Sequence, residues 1–243
     1  MRAVVVIPAR YESSRFPGKP LANVLGKAMI LRVVEQALLA VPHVLVATDD
    51  SRIYEAVRAS GREAQMTSEE HTSGTDRIGE AVRGLNLAPP DVVINVQVDE
   101  PFIAPEQIEA VLNLFEDESV EIGTLVRRVT NPSVLDNPNT PKVARALSGE
   151  ALYFSRSCIP FIRNANESVD HWQHVGLYAY RLRVLEKLVA LPPSPLERAE
   201  SLEQLRWLEN GYRIYCAETD QETWAIDTPE DLARVEAHFG EKA

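Results

Sequence analysis

The sequence predicts an α/β fold: a mostly parallel sheet flanked by helices, with a smaller mixed or antiparallel insert. Three observations predict it. Ala3–Ile7, Val44–Ala47 and Val92–Val96 are continuous, largely β-branched apolar runs, the pattern of strands buried on both faces. Each run ends on turn-forming or polar residues: Pro8, then Thr48-Asp49-Asp50, then Gln97 to Glu100. Helical patterns separate the runs, and such alternation selects an open parallel sheet. Ligands of such sheets bind beyond the C-terminal strand ends.

The elements follow in order. Met29, Ile30, Val33, Val34, Ala37, Leu38 and Val41 recur at helical spacing, predicting a helix over 28–41. A helix after Asp50 to about residue 60 and another over 105–116 continue the alternation. From about residue 120 the pattern changes. Strands are predicted at 122–126, 142–147, 151–155 and 175–180 with no long helices between most of them. Helices return at 181–190 and 195–209. The second of these opens with Ser194 as N-cap, Pro195 in its first position and Glu197 in its third, and Gly211 stops it. A last strand near 213–217 and a helix opening at Thr228-Pro229-Glu230-Asp231 complete the chain. The expected organisation is a single domain over 1–243 with an insert lobe at about 120–180.

The 243 residues carry a formal net charge of −11. That balance argues against a general nucleic-acid or anionic-membrane binder, each of which needs a net basic face. No apolar run approaches 18 residues, and the opening run is too short for a signal peptide or a membrane span. Cys158 and Cys216 are the only cysteines and lack metal-like spacing, so a cytoplasmic protein with reduced thiols is expected. The charge is unevenly spread. Residues 1–34 hold Arg2, Arg10, Arg15, Lys19, Lys27 and Arg32 against Glu12 alone, a local +5. No Gly-x-Gly fingerprint, Walker A loop or Gly-x-Ser-x-Gly elbow occurs. His171 and His174 form the only close histidine pair, read as two unrelated side chains.

Four constellations can carry chemistry. The first runs from Pro8 to Leu21 and gathers Arg10, Arg15, Lys19, Ser13 and Ser14 directly after the first strand. A polyphosphate spreads charge over several oxygens, so it needs several cations and N–H donors at once. The alternative is a solvated loop. The second, Asn95 to Pro101, ends a buried strand. Asp99 there can hold Mg²⁺, which takes one or two carboxylates beside phosphate oxygens, or it is a turn residue. In the third, Thr228 caps a helix and frees Asp227, which either shares a metal with Asp99 or fills a structural turn. In the fourth, Ser73 and Asp76 mark a helix start with Gly74 beside it, where backbone can approach a planar base or an anion. Further on, His174 and Tyr178 share one face of a strand. Glu203 and Gln204 flank the apolar stripe of a helix, lining a sugar pocket or meeting solvent.

Taken in order, Ile7-Pro-Ala-Arg-Tyr-x-Ser-x-Arg-x-Pro-Gly-Lys-Pro-Leu21, Ala47-Thr-Asp49, His71-x-Ser-Gly-Thr-Asp-Arg77, Asn95-Val-Gln-x-Asp-Glu-Pro101, His174-x-Gly-x-Tyr178, Pro195-Leu-Glu197, Leu202-Glu-Gln-Leu-Arg206 and Asp227-Thr-Pro-Glu-Asp-Leu232 resemble the 3-deoxy-manno-octulosonate cytidylyltransferases (CMP-Kdo synthetases) of Gram-negative bacteria. The resemblance spans nearly the whole chain. It implies a Rossmann-like nucleotidyltransferase sheet with a dimerising insert, and a homodimer. It implies transfer of CMP from CTP to 3-deoxy-D-manno-octulosonate (Kdo) with Mg²⁺, for lipopolysaccharide biosynthesis. By position it implies that Arg10, Ser13, Ser14, Arg15 and Lys19 hold the triphosphate, and that Ala9, Ser73, Gly74 and Gln97 surround cytosine and ribose. It further implies that Asp99 and Asp227 hold Mg²⁺, with Lys19 and Arg10 also catalytic. Arg77, His174, Tyr178, Glu203 and Gln204 would contact the acid sugar. Two departures stand out: Val98 and Ala225 replace family glycines. A glycine at 98 permits positive φ, which a β-branched residue avoids. The alternatives are a related acid sugar such as 8-amino-Kdo or a nonulosonate, a nucleotide-binding homologue impaired by Val98, or a glycosyltransferase on a similar sheet.

Overall fold

In the computed structural model, which describes residues 1–240 except Ser14, Pro90 and Ala165, the chain divides into two compact units. One comprises Met1–Ile108 with the chain from Glu222 onward, and the other Glu109–Gln221.

The first unit is built on β1 (Ala3–Ala9), whose residues from Val4 onward are all buried. A two-residue hairpin pair, β2 (Asn23–Val24) and β3 (Lys27–Ala28), leads into α1 (Met29–Ala40). Then come β4 (Val44–Thr48), α2 (Ser51–Ala59), β5 (Glu63–Met66), α3 (Gly74–Arg83) and β6 (Val92–Asn95). The strands lie in the order β6-β1-β4-β5, all parallel. The β-branched runs form the two-sided sheet core, and α1 seals it with Met29, Ile30, Val33, Val34 and Ala37. Fully burying a side chain the size of Ile30 or Val33 stabilises by about 1.5–3 kcal/mol. α2 starts on Asp50, whose carboxylate accepts from Arg52 N–H, and α3 on Ser73, whose hydroxyl accepts from Asp76 N–H, the local capping that places α3 where Ser73 and Asp76 predicted. β5 carries no apolar run and was not expected; it pairs parallel with β4.

α4 (Pro105–Asn113) leads into the second unit, with a 3₁₀ turn finishing the predicted 105–116 helix. There β7 (Ile122–Arg128), β8 (Lys142–Arg145), β9 (Ala151–Ser155) and β10 (Trp172–Arg181) follow without long helices, as expected of the insert. β10 pairs antiparallel with β7 and β8, and β8 with β9. α5 (Leu182–Leu188), α6 (Pro195–Glu200) and α7 (Gln204–Glu209) precede β11 (Ile214–Glu218), which lies parallel to β7. The helix predicted over 195–209 is two helices: Ser201 adopts φ 51° and breaks it. The expected cap is present, Ser194 and Glu197 each accepting from the other's backbone N–H. The last helix, α8 (Pro229–Gly240), returns to the first unit.

Candidate functional site

In the first unit, the C-terminal ends of β1 and β6, the N-terminus of α3 and the turn before α8 surround a cavity of about 300 Å³, a size within the range of small-molecule sites. Its wall includes Ala9, Arg10, Ser13, Arg15, Lys19, Ser73, Gly74, Arg77, Gln97, Asp99 and Asp227. Every residue expected of the nucleotide and metal groups is thus gathered there, apart from Ser14, which lies outside the described residues.

Lys19 is the pivot. Gly18, at φ 73°, caps the short turn Lys19–Leu21, a conformation glycine adopts without a steric cost. The turn returns Lys19 into the cavity, where its side chain is 10% exposed. Its ammonium donates to Asp99 Oδ2 at 2.8 Å and to Asp227 Oδ1 at 3.1 Å. Arg15, on the exposed side, lies 3.2 Å from the same Asp227 oxygen. Two backbone features bring the carboxylates together. Ile226 N–H donates to the Asp99 carbonyl at 2.9 Å. Asp231 accepts from the Asp227 and Thr228 N–H groups while its own N–H donates to Thr228 Oγ1, so Thr228 and Asp231 cap α8 and Asp227 is left for the site. The neighbouring Glu100 is pushed up to about 8, by burial and then by the Asp99 and Asp227 charges, so near neutrality it is largely a neutral acid.

Val98 lines the same wall. Among the described residues the only non-glycines with positive φ are Leu25 and Ser201, so Val98 sits without the strain its family departure led one to expect, and Asp99 still reaches Lys19.

Part of the cavity wall is shaped by α3. Ser73 Oγ accepts from Asp76 N–H at 3.1 Å, which leaves its O–H hydrogen available to a ligand. A Cβ on Gly74 would come within 3.2 Å of the Pro8 ring, so glycine lets the helix start close onto the end of β1. Gln97 Nε2 donates to Asn95 Oδ1 at 3.0 Å. Arg77 reaches the wall, but its guanidinium is 3% exposed and committed to Asp49 Oδ2 at 2.5 Å, Thr67 Oγ1 at 2.6 Å and the Ser68 carbonyl at 3.3 Å. Glu12 and His71 also line the cavity, and the sequence reading assigned neither of them a role. His71, whose Nε2 pairs with Glu80, stands two residues before Ser73, and that adjacency was the available signal.

His174, Tyr178, Glu203 and Gln204 belong to the second unit and form their own group. Between Val175 and Tyr178 the β10–β7 register shifts, so that Tyr178 faces Thr124. Such bulges re-aim side chains, and here His174 and Tyr178 meet with ring centroids 5.2 Å apart. Thr124 Oγ1 donates to the Leu177 carbonyl at 2.8 Å and lies 3.0 Å from His174 Nε2. The hydroxyl proton is thereby used, so Nε2 carries the imidazole proton and Nδ1 is an acceptor. Burial pushes His174 down to about 3, so the ring is neutral. Burial first, and charges including Glu203, push the Tyr178 hydroxyl well up. Tyr178 packs edge-on to Trp207 of α7. Among the described residues, Gln204 Nε2 and Trp207 Nε1 are buried donors without hydrogen-bond partners. His171 bonds separately, to the Pro160 carbonyl, as the reading of two unrelated histidines expected.

The first unit's cavity therefore offers cations and helix-terminal N–H groups for anionic oxygens, and a pair of carboxylates for a positive charge. Among the described residues no cluster of three or more His, Cys, Asp or Glu could hold a metal by itself. No helix among them is long and apolar enough to cross a membrane.

The family model "Cytidylyltransferase" matches residues 4–214. A relative named 3-deoxy-manno-octulosonate cytidylyltransferase in Parabacteroides distasonis is 50% identical over 251 residues, covering all of both chains. A protein of the same name in Bacteroides thetaiotaomicron is 51% identical over 97% of each. The solved structure of CMP:2-keto-3-deoxy-manno-octonic acid synthetase complexed with CTP matches with a TM-score of 0.93 at 43% identity, covering both chains fully.

Proposed function

Because the chain belongs to the 3-deoxy-manno-octulosonate cytidylyltransferase family, we propose that it transfers CMP from CTP to Kdo, giving CMP-Kdo and pyrophosphate. The observation that carries this reading is the convergence of Lys19, Asp99 and Asp227 at the strand ends of a cavity lined by Arg10, Arg15 and the α3 N-terminus.

The residues divide the work. Arg10, Ser13, Arg15 and Lys19 hold and neutralise the triphosphate. Lys19 and Arg10 stabilise the charge that builds as pyrophosphate departs, because preformed cations need no reorganisation at that moment. Ser73, Gly74, Gln97 and the backbone at Ala9 seat the nucleoside. The sugar's anomeric hydroxyl attacks the α-phosphorus in line with the departing pyrophosphate, so the protein's main tasks are positioning and charge neutralisation.

Two carboxylates already converging on one ammonium form a donor set that suits a divalent cation completed by phosphate oxygens. Asp99 and Asp227 would hold Mg²⁺. When bound, that ion supplies Lewis-acid neutralisation of phosphate charge.

His174, Tyr178, Glu203 and Gln204 are assigned to the acid sugar. The support is the neutral His174, which suits a sugar hydroxyl, and the buried Gln204 Nε2, which has no hydrogen-bond partner among the described residues and can donate to a sugar oxygen. Arg77, also assigned to the sugar, keeps its guanidinium on Asp49 and serves to hold the start of α3. A homodimer through the second unit is supported by Leu147, Leu152 and Phe161, which stand 110%, 61% and 85% exposed there. Sedimentation of Leu152→Asp beside the parent chain tests it: a parent that sediments as a monomer refutes the dimer.

The substrate is tested by pyrophosphate release from CTP and Mg²⁺ with Kdo, 8-amino-Kdo and a nonulosonate in parallel. Kdo is expected to give the highest kcat/KM. Preference for another acid overturns the assignment of the sugar.

A further inference from the structure

The loop from Arg10 to Lys19 carries the phosphate-binding cations, and a side chain from a different element pins it. Tyr11 and Gly18 close the loop on itself. Gly18 N–H donates to the Tyr11 carbonyl at 3.0 Å. The tyrosine ring lies against Gly18 so tightly that a Cβ there would come within 2.9 Å of the phenol oxygen. On the ring sits the guanidinium of Arg52, its central carbon 3.3 Å from the ring centroid. Arg52 is in the first turn of α2. Its guanidinium is aligned by the Asp50 carboxylate, with Nε at 3.0 Å from Oδ1 and an Nη at 2.6 Å from Oδ2. Arg52 is absent from the cavity wall, and its side chain is 56% exposed. It therefore contributes little to the core.

We propose that Arg52 is a positioning residue for nucleotide binding. Aligned by Asp50, it clamps Tyr11 onto Gly18, which holds the loop in the form that presents Arg10, Arg15 and Lys19 together. A planar guanidinium on an aromatic face is favourable even at an exposed site. A loop that is not held in its binding form pays conformational entropy each time it orders around a ligand. Arg52 acts through Tyr11 rather than through its own charge on the phosphates. This rests on the proposed use of CTP.

The test is a double-mutant cycle on Arg52→Ala and Tyr11→Leu, read by pyrophosphate release. Each single variant is expected to raise the KM for CTP by about two- to fivefold. The kcat at saturating CTP and the KM for Kdo should stay within about twofold, since neither residue touches reacting atoms. The double variant should be no worse than the weaker single. Arg52→Lys keeps the charge but loses the planar stack, and should behave nearly like Arg52→Ala. Tyr11→Phe keeps the ring and should match the parent. An unchanged KM in Arg52→Ala, independent effects in the double variant, or full recovery in Arg52→Lys overturns the proposal. Hydrogen exchange at residues 11–18 without nucleotide separates the two readings. Faster exchange in Arg52→Ala supports the clamp even if CTP proves not to be the substrate, and unchanged exchange rejects it while leaving CTP transfer untouched.

Discussion

The ammonium of Lys19 and the carboxylate of Asp99, 80 residues apart in sequence, meet at 2.8 Å. The same ammonium also reaches Asp227, so one cation joins the ends of β1, β6 and the start of α8. Lys19→Met removes that cation and leaves two carboxylates facing each other. Pyrophosphate release is expected to fall by about 10²- to 10³-fold, the usual loss for one preorganised electrostatic contact. Lys19→Arg should not restore it, because a planar fork does not replace a compact ammonium between two oxygens.

Asp99→Asn and Asp227→Asn keep the shape of the site and remove one negative charge each. Both are expected to shift the Mg²⁺ dependence of turnover to higher concentration and to lower the maximal rate by at least about tenfold. A Mg²⁺ titration that overlays the parent curve for both variants rules out these residues as the metal-holding pair.

Glu197 and Arg206 form a pair that joins α6 to α7 across the break at Ser201, with Nε at 2.8 Å and an Nη at 2.5 Å from the carboxylate. Hydrogen bonds from Arg206 hold the Glu197 carboxyl below its ordinary value. A depressed carboxylate contributes stability above its unfolded pKa and loses it as pH falls through the folded one. Glu197→Gln should therefore lower Tm at pH 7. The gap from the parent should narrow as pH drops below about 4.5. A gap that is constant with pH removes the charge from the explanation.

His174 carries the same sign at higher pH, through burial rather than an ion pair. It stays neutral in the folded chain down to about 3, whereas in the unfolded chain it takes a proton near 6.5. Folding stability contributed by this residue falls as pH drops from about 6.5 toward 3, by up to about 1.4 kcal/mol per pH unit. Urea unfolding of the parent and His174→Asn at pH 7.5 and 5.5 measures it. The parent should lose more stability than the variant over that interval, and equal losses would show that His174 is protonated in the folded state.

Much of this is legible in the sequence. The runs around Val4–Ile7, Val44–Ala47 and Val92–Ile94 announced their strands because a strand buried on both faces needs unbroken apolar sequence. The cavity followed from the same logic, since polar residues directly after such runs must stand at strand ends, and Arg10, Thr48 and Asp99 do. Other features leave no local trace. β5 reads Glu-Ala-Gln-Met and exists because β4 offers it a pairing edge. Ser201 resembles any helix residue until the Arg206–Glu197 pair folds α7 back on α6. The register shift at Gly176 depends on Thr124 in another strand. Arg52 lies on α2, and only the tertiary fold places it on Tyr11.

The most direct test of CMP transfer to Kdo is ³¹P NMR of a mixture of CTP, Mg²⁺, Kdo and the purified chain. The CTP resonances are expected to decay while pyrophosphate and a phosphodiester signal from CMP-Kdo grow in equal amounts, with no growth when Kdo is left out. CTP that binds but persists in the presence of Kdo, or that breaks down to free CMP without the phosphodiester, would contradict it.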